Sequence, residues 1–481
     1  MTPKAPTYHR RTKIVATVGP ACSDKAVLSR LIKAGVNVFR LNFSHAVYET
    51  LEQVIRDVRE LNEKLGTHVA LLGDLQGPKI RVGEIQNNGI TLRKGDVIQF
   101  TTVPCLGDAQ RIYLNYKAFP LDVEEGDLVL LDDGKIKLEV LRSNRLDEVE
   151  LVTIHGGLLT SKKGVNLPNT KVSLPSLTEK DLRDLDFILD HDLDWVALSF
   201  VRSPNDVKEL RQRIESRGKD AHIISKIEKP AAVDEIDAIV AESDGVMVAR
   251  GDLGVEYPLE KLPLIQKAIV KKCLRQCKPV IIATQMMESM ITQFMPTRAE
   301  ANDVANAVLD GADALMLSGE TSVGQHPVQV IEYMSRIVET VEQGAEGIYY
   351  RERADSTATD QSLSDSLCYM AGRAAKYVQA QAIVGLTRSG YTAYQVASYR
   401  PACPVFIFTP NPRLLARISL LWGVRAFFYD KESDTNQTID DVLSFLEAHK
   451  HVSKGAVVVN TGAMPVGSDS RANFLKISRI D

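Results

Sequence analysis

No stretch of this 481-residue chain stays apolar for the ~18 residues that a membrane-spanning helix requires, so a helical membrane protein is excluded. Net charge is also nearly missing: 58 Lys and Arg stand against 62 Asp and Glu, giving −4, which leaves no bulk attraction for nucleic acid or a membrane surface. Cysteine is sparse, six residues, and its closest pair, Cys273 and Cys277, has helical spacing with no accompanying histidine pattern. That argues against a disulfide framework and a Cys/His metal centre, and for reduced thiols. The segment Met1 to Lys13 is polar and lacks the apolar centre of a signal segment, so the expected compartment is the cytoplasm. What is present, 44% hydrophobic and 25% charged residues, suits a soluble globular enzyme long enough for two or three domains.

Eight short runs, mostly rich in Val, Ile, Leu or Ala, each break off into residues able to hold a phosphate, a carboxylate or a metal. Ile14 to Ala16 ends at Thr17; Val36 to Phe39 at Arg40, Asn42 and Ser44; Val69 to Leu72 at Asp74; Trp195 to Leu198 at Ser199. Ile223-Ile224 ends at Lys226 and Glu228, Val246 to Ala249 at Arg250 and Asp252, Val280 to Ala283 at Thr284, and Ala314 to Leu317 at Ser318 and Glu320. Continuous apolar runs suit parallel strands covered on both faces, and most of the intervening stretches read as helices. Eight such units predict a closed (β/α)8 TIM barrel whose C-terminal rim carries those polar residues.

The texture changes in two places. From Pro78 to Pro175, runs such as Thr91-Leu92, Val97 to Phe100, Leu128 to Leu131 and Ile136 to Val140 are punctuated by Gly89, Lys94-Gly95-Asp96, Glu125-Gly126-Asp127 and Asp133-Gly134. This is the pattern of a small antiparallel β domain, and its position beside the third strand lets it close as a lid. After a helix from Pro327 to Gln343, the weakly patterned Ala345 to Asp360 marks a boundary. Beyond it, helices Leu363 to Tyr377 and Thr392 to Tyr399 alternate with strands at Ala382 to Leu386, Val405 to Phe408, Val424 to Phe428, Ala456 to Val459 and Phe474 to Ile477. The expected fold class is α/β: a barrel (1–77 and 176–345), an inserted small β-barrel domain (78–175) and a C-terminal α/β domain (346–481).

Lys226 and Glu228 are two apart, so they project the same way from an extended strand, and Asp252 ends the following run. Glu228 and Asp252 offer the hard oxygen ligands that Mg²⁺ favours, few enough to leave positions for substrate and water. A structural salt bridge is the competing reading of the Lys/Glu pair. Arg250 to Gly254 reads as a glycine-bearing turn into a short helix whose free N–H groups suit a carboxylate. Thr387, Arg388, Ser389, Gly390 and Thr392 join a strand to a helix as a phosphate cradle, or as a well-capped turn.

These residues occur with Arg40-Leu41-Asn42-Phe43-Ser44-His45, Gly73-Asp74-Leu75-Gln76-Gly77-Pro78-Lys79-Ile80-Arg81 and Ser225-Lys226-Ile227-Glu228. Thr284-Gln285-Met286-Met287-Glu288-Ser289-Met290 and Leu317-Ser318-Gly319-Glu320-Thr321 follow in order. The set closely resembles the pyruvate kinase family, bacterial type, over nearly the whole chain. The resemblance implies transfer of the phosphoryl group of phosphoenolpyruvate to ADP, giving pyruvate and ATP. It further implies that Lys226 stabilises the transferring phosphoryl and the enolate oxygen, that Arg40 grips the phosphate, and that Glu228 and Asp252 bind Mg²⁺ (or Mn²⁺). Gly251 and Asp252 N–H groups would support the substrate carboxylate, with Thr284 beside the substrate. Asn42, Phe43, Ser44, His45, Arg81 and Lys163 would contact the nucleotide, Lys163 reaching in from the inserted domain. Thr284, Ser318 and Glu320 form the expected relay for protonating the enolate, although Ser318 and Glu320 could instead orient the strand end.

Many members of that family hold a monovalent cation at positions matching Asn42, Ser44, Asp74 and Leu75, and those members carry Glu where this chain has Lys79. An ammonium there, with Leu75, Gln76 and Val82, resembles the potassium-independent subset, so K⁺ is expected not to be required. The family also implies a phosphorylated allosteric effector on the Thr387 to Thr392 loop. Asp469, in the second loop near Gly462 to Asn473, disfavours a second phosphate, so a sugar monophosphate or AMP is expected rather than a bisphosphate. A homotetramer is implied as well. Two other readings stand beside the kinase. A Mg²⁺-dependent pyruvate-enolate lyase or aldolase would not need Arg81 or Lys163, and a catalytically silent metabolite sensor would be expected to have lost Lys226, Glu228 or Asp252, all of which are present.

Overall fold

In the computed structural model the described residues are 10–352, 360–431, 434–463 and 471–480. The eight runs form Lys13–Thr17, Val38–Asn42, Ala70–Asp74, Trp195–Leu198, His222–Ile227, Gly245–Ala249, Val280–Ala283 and Ala314–Leu317, all parallel and closed into one barrel. Adjacent residues of a strand serve opposite faces, which is why the runs are apolar throughout. Val15, Val38, Leu72, Trp195, Ile224 and Met247 fill the lumen, while Ile14, Phe39, Leu71, Val196, Ile223 and Val246 pack outward against the helices.

The chain leaves the third strand through Gly77, whose φ of 69° lies in the left-handed region and whose missing Cβ leaves room for Phe200 and Ser199. Its N–H donates to Asp181 Oδ1 at 3.0 Å, and Asp181 also completes the capping box with Thr178 that starts helix Glu179–Asp190. One carboxylate thus pins the exit of the inserted domain to the element that follows its return.

The inserted domain differs from a continuously laddered barrel. It has a six-stranded sheet, antiparallel except where Val97–Thr101 pairs with Arg111–Tyr113, and a separate two-stranded pair. Its two edges are joined only by single bridges, Arg81 to Gly164 and Val82 to Leu114, so closure runs through one irregular segment. Its core, from Ile80 to Leu167, is separate from that of the barrel.

Five strands build the C-terminal sheet in the order Val424–Phe428, Val405–Thr409, Ala382–Leu386, Val457–Gly462 and Phe474–Arg479, the last antiparallel. Apolar clusters cover both faces. Helices Pro412–Arg417 and Thr435–Ala448 lie in segments where the sequence reading placed none; side chains of Asn411 and Asp434 cap their first turns. Leu420, just past the first of these helices, joins the lumen cluster of the barrel, so this domain stoppers the N-terminal mouth and leaves the opposite rim for chemistry.

Candidate active site

The third and fifth strands meet at one buried charge cluster. Lys226 Nζ stands 3.2 Å from Asp74 Oδ1 and 3.0 Å from Glu228 Oε1, and it donates to Ser199 Oγ at 2.6 Å. Arg40 Nε approaches the other Asp74 oxygen at 2.6 Å, and Arg40 Nη1 donates to Thr17 Oγ1 at 3.0 Å. Asp74 and Glu228 side chains are both only 1% exposed, so these charges act on each other with little water between them. Burial alone would favour a neutral amine, but the Asp74 and Glu228 carboxylates raise Lys226 to about 12. Burial likewise opposes ionisation of Asp74, yet Lys226 and Arg40 hold it below the usual carboxylate range. Glu228 goes up because burial, seconded by nearby Asp252, outweighs the pull of Lys226. The resulting site holds a permanently charged ammonium beside a guanidinium.

Glu228 Oε2 accepts the Phe200 N–H at 2.7 Å, which fixes the carboxylate against the fourth strand end. Asp252, in the first turn of helix Arg250–Glu256, has no hydrogen-bond or ion-pair partner among the described residues and lines a cleft of about 550 Å³, part of it open to solvent. Among those residues no group of three or more His, Cys, Asp or Glu side chains could hold a metal. Glu228 and Asp252, near enough for the Asp252 charge to act on Glu228, are a sparse oxygen donor set that fits Mg²⁺, because Mg²⁺ keeps water and substrate oxygens as its other ligands.

Around this centre the other sequence-predicted residues divide. Thr284 has a φ of 68°; its Oγ1 donates to Ala283 O at 2.6 Å and accepts the Gly251 N–H at 2.7 Å, so that amide is engaged by Thr284 rather than free for an anion. Glu320 is buried, which raises its pKa, and its two oxygens accept N–H groups of Met287 at 3.2 Å and Ser318 at 2.7 Å. Both carboxylate oxygens are thus engaged by the backbone at the end of the eighth strand and in the turn after the seventh. Asn42 Oδ1 accepts the Ser44 N–H at 3.2 Å. The Phe43 ring is fully buried beside Phe187, and the Phe43 carbonyl takes the Lys180 ammonium at 2.6 Å. The His45 side chain lies outside the described residues.

The residues expected from the inserted domain are held within it. Arg81 Nη1 donates to Lys162 O at 3.0 Å, and Lys163 pairs with Asp132 at 2.8 Å. Lys79 lines the same cleft as Asp252, with Asp133, Gly164 and Phe200; among the described residues the ion pairs of Asp74 go to Arg40 and Lys226. The Leu75 carbonyl accepts the Ser199 hydroxyl at 2.7 Å. In the C-terminal domain Gly390, φ 88°, directly precedes helix Tyr391–Ser398; its N–H donates to Thr387 Oγ1 at 3.0 Å, while Arg388 and Ser389 are exposed and Thr392 is buried.

Ser199 was read only as a strand end. Its part as the hydroxyl joining Lys226 to Leu75 O depends on partners from two other strands, and only its rim position signalled it. Glu256 carried no signal at all. It sits 1% exposed, paired with Lys229, and accepts from Asn166 Nδ2 of the inserted domain at 2.9 Å.

Two family models match the chain: "Pyruvate kinase, barrel domain" over residues 9–331 and "Pyruvate kinase, alpha/beta domain" over residues 365–478. It is 42% identical to the pyruvate kinase of Corynebacterium glutamicum over 468 residues, covering 97% of each chain. It is 40% identical to that of Mycobacterium tuberculosis over 471 residues, 98% of each chain, and 39% identical to that of Thermococcus litoralis over 473 residues, again 98% of each. A crystal structure of a pyruvate kinase from Cryptosporidium parvum superposes with a TM-score of 0.92 at 34% identity, over 98% of this chain and 96% of that one.

Proposed function

The chain belongs to the pyruvate kinase family, bacterial type, and from that premise we propose which residues carry its reaction and what regulates it. The reaction itself is transfer of the phosphoryl group of phosphoenolpyruvate to ADP, giving pyruvate and ATP. Phosphoryl transfer asks for charge neutralised on equatorial oxygens and for reactants held in line, so cations matter more than a nucleophile. The observation that carries the assignment is the buried Lys226 ammonium, held between Asp74 and Glu228 beside Arg40. In this reading Arg40 grips the incoming phosphate, and Lys226 neutralises the phosphoryl in flight and then the enolate oxygen left behind. Glu228 and Asp252 would hold Mg²⁺, which supplies further positive charge to the phosphate and the substrate carboxylate.

Thr284, whose Oγ1 accepts the Gly251 N–H, is assigned a position beside the substrate, and Ser318 remains with it in the proposed proton relay. Glu320 is assigned to orienting the Ser318 and Met287 backbone. Asn42 and Ser44, the backbone of Phe43, His45, and Arg81 and Lys163 of the inserted domain are assigned to the nucleotide. That requires the inserted domain to move Arg81 and Lys163 toward the rim. The division into barrel (1–77 and 176–345), lid (78–175) and C-terminal domain (346–481) rests on their separate apolar cores.

The further parts of the reading are independence from K⁺, with Lys79 in place of the cation; a monophosphate effector on Thr387, Arg388, Ser389, Gly390 and Thr392; a homotetramer; and a cytoplasmic location. Asp469, on which the monophosphate preference rests, lies outside the described residues. A lactate dehydrogenase-coupled assay with phosphoenolpyruvate, ADP and Mg²⁺ tests these points together. Turnover without K⁺, raised by ribose 5-phosphate or glucose 6-phosphate more than by fructose 1,6-bisphosphate, is the expected outcome. Rates that collapse without K⁺ and return with KCl would reject the role of Lys79, and a preference for the bisphosphate would reject the single-phosphate loop.

A further inference from the structure

Thr284 and Gln285 follow one another with φ of 68° and 54°. A β-branched residue keeps a left-handed backbone only where its surroundings over-determine it. Here one guanidinium holds the backbone on both sides of the turn. Arg250 Nη2 donates to the Thr284 carbonyl at 2.8 Å and Nε to the Ala283 carbonyl at 3.3 Å, so the peptide units on both sides of the Thr284 Cα are gripped from one side chain. The same Nη2 reaches Met286 Sδ at 2.9 Å, one residue beyond the strained pair.

The fork is itself held. Asp303, on helix Arg298–Asp310, receives Nη1 and Nη2 at 2.7 Å each, a bidentate geometry that fixes the guanidinium plane as well as its position. Gln266 Oε1 adds a longer contact to Nη1 at 3.4 Å. The Arg250 side chain is 11% exposed and that of Asp303 31%, so the guanidinium is shielded while the carboxylate that orients it keeps partial contact with water. Its product is the place of one hydroxyl, Thr284 Oγ1, wedged between the Ala283 carbonyl and the Gly251 N–H at the rim.

We propose that Arg250 and Asp303 are positioning residues for the reaction: they hold the seventh-strand turn in its left-handed form and so fix the Thr284 hydroxyl beside the substrate. The inference rests on Thr284 acting at the site. Displacing a reacting or orienting group by ~1 Å costs up to roughly a hundredfold in rate, whereas the side chains assigned to hold substrate and metal, Arg40, Glu228 and Asp252, share no hydrogen bond or ion pair with Arg250 or Asp303 among the described residues.

The test is a double-mutant cycle on the full-length enzyme with Thr284→Ala, Asp303→Asn and both together, alongside Arg250→Lys, which keeps the charge but loses the planar fork. Asp303→Asn and Arg250→Lys are each expected to lower kcat about tenfold or more with KM for phosphoenolpyruvate and Mn²⁺ affinity nearly unchanged. In the Thr284→Ala background Asp303→Asn should add little, because the hydroxyl it places is gone. Normal kcat in Asp303→Asn, full activity in Arg250→Lys, or losses that simply multiply in the double variant would overturn the proposal. Unchanged turnover in Thr284→Ala alone would refute the site assignment beneath it, and the clamp with it.

Discussion

Lys226 and Arg40 are two cations among three carboxylates, Asp74, Glu228 and Asp252, and that imbalance leaves room for a divalent ion and an anionic substrate together. Part of the arrangement could be read from the chain. Lys226 and Glu228 sit two apart at a strand end, and strand alternation alone points them at the same space; they meet at 3.0 Å. The hydroxyl of Ser199 and the clamp of Arg250 could not be read this way, because each joins residues from elements far apart in sequence. Lys79 belongs to this scale too. Its side chain has no ion pair with Asp74 among the described residues and lines the cleft that Asp252 also lines, so in the proposed reading it reaches the cation position only as the inserted domain moves. Lys79→Glu should convert the enzyme to one stimulated severalfold by K⁺, read from initial rates with and without KCl; equal rates in both buffers would contradict the assignment.

At the scale of elements, the contact that matters is the one between the inserted domain and the short helix Arg250–Glu256. Asn166 donates to Glu256, Lys229 pairs with the same carboxylate oxygen while lying 5.6 Å over the Phe200 ring, and Arg202 donates to the carbonyls of Val172 and Leu174 at 2.6 and 2.7 Å. Those Arg202 bonds hold the returning strap, while Asn166 works as a latch on the domain proper. A hydrogen bond to a charged group contributes about 1.5–3 kcal/mol, so on the proposed reading of the inserted domain as a lid, Asn166→Ala should shift it toward open forms. Faster amide hydrogen exchange across 78–175 and a higher KM for ADP, with fold stability nearly unchanged, are expected; unaltered exchange and KM would remove the latch.

The barrel strands were legible because runs covered on both faces are continuously apolar, and the three inner C-terminal strands for the same reason, whereas the edge strands Val424–Phe428 and Phe474–Arg479 are partly exposed and carry polar residues. The closure of the inserted sheet was not, since it depends on two single bridges at Arg81 and Val82 that leave no periodic trace. Helix Thr435–Ala448 was passed over although Asp434 caps it through the N–H groups of Asn436 and Gln437.

For the molecule as a whole, the C-terminal domain is fastened to the base of the barrel by a buried ion pair. Arg400 Nη1 and Nη2 meet the two Asp313 oxygens at 3.0 and 2.9 Å, with side chains 2% and 4% exposed and the Trp422 ring 5.0 Å from the guanidinium. Asp313 also accepts N–H groups of Val280 and Trp422, so it serves the barrel and the docked domain at once. Arg400→Met would leave that carboxylate buried without its cation, a loss of about 3–5 kcal/mol, visible as a lower denaturant midpoint. A midpoint within error of the parent would show that the pair does not fasten the domains.

The whole account stands on the ammonium at the centre of the rim, and Lys226→Met tests it most directly, since Met keeps the length of the side chain and removes its charge. The account predicts that phosphoenolpyruvate and Mn²⁺ still bind with nearly parental affinity while turnover in the coupled assay falls by roughly 10²–10³ or more. Turnover close to that of the parent would contradict it.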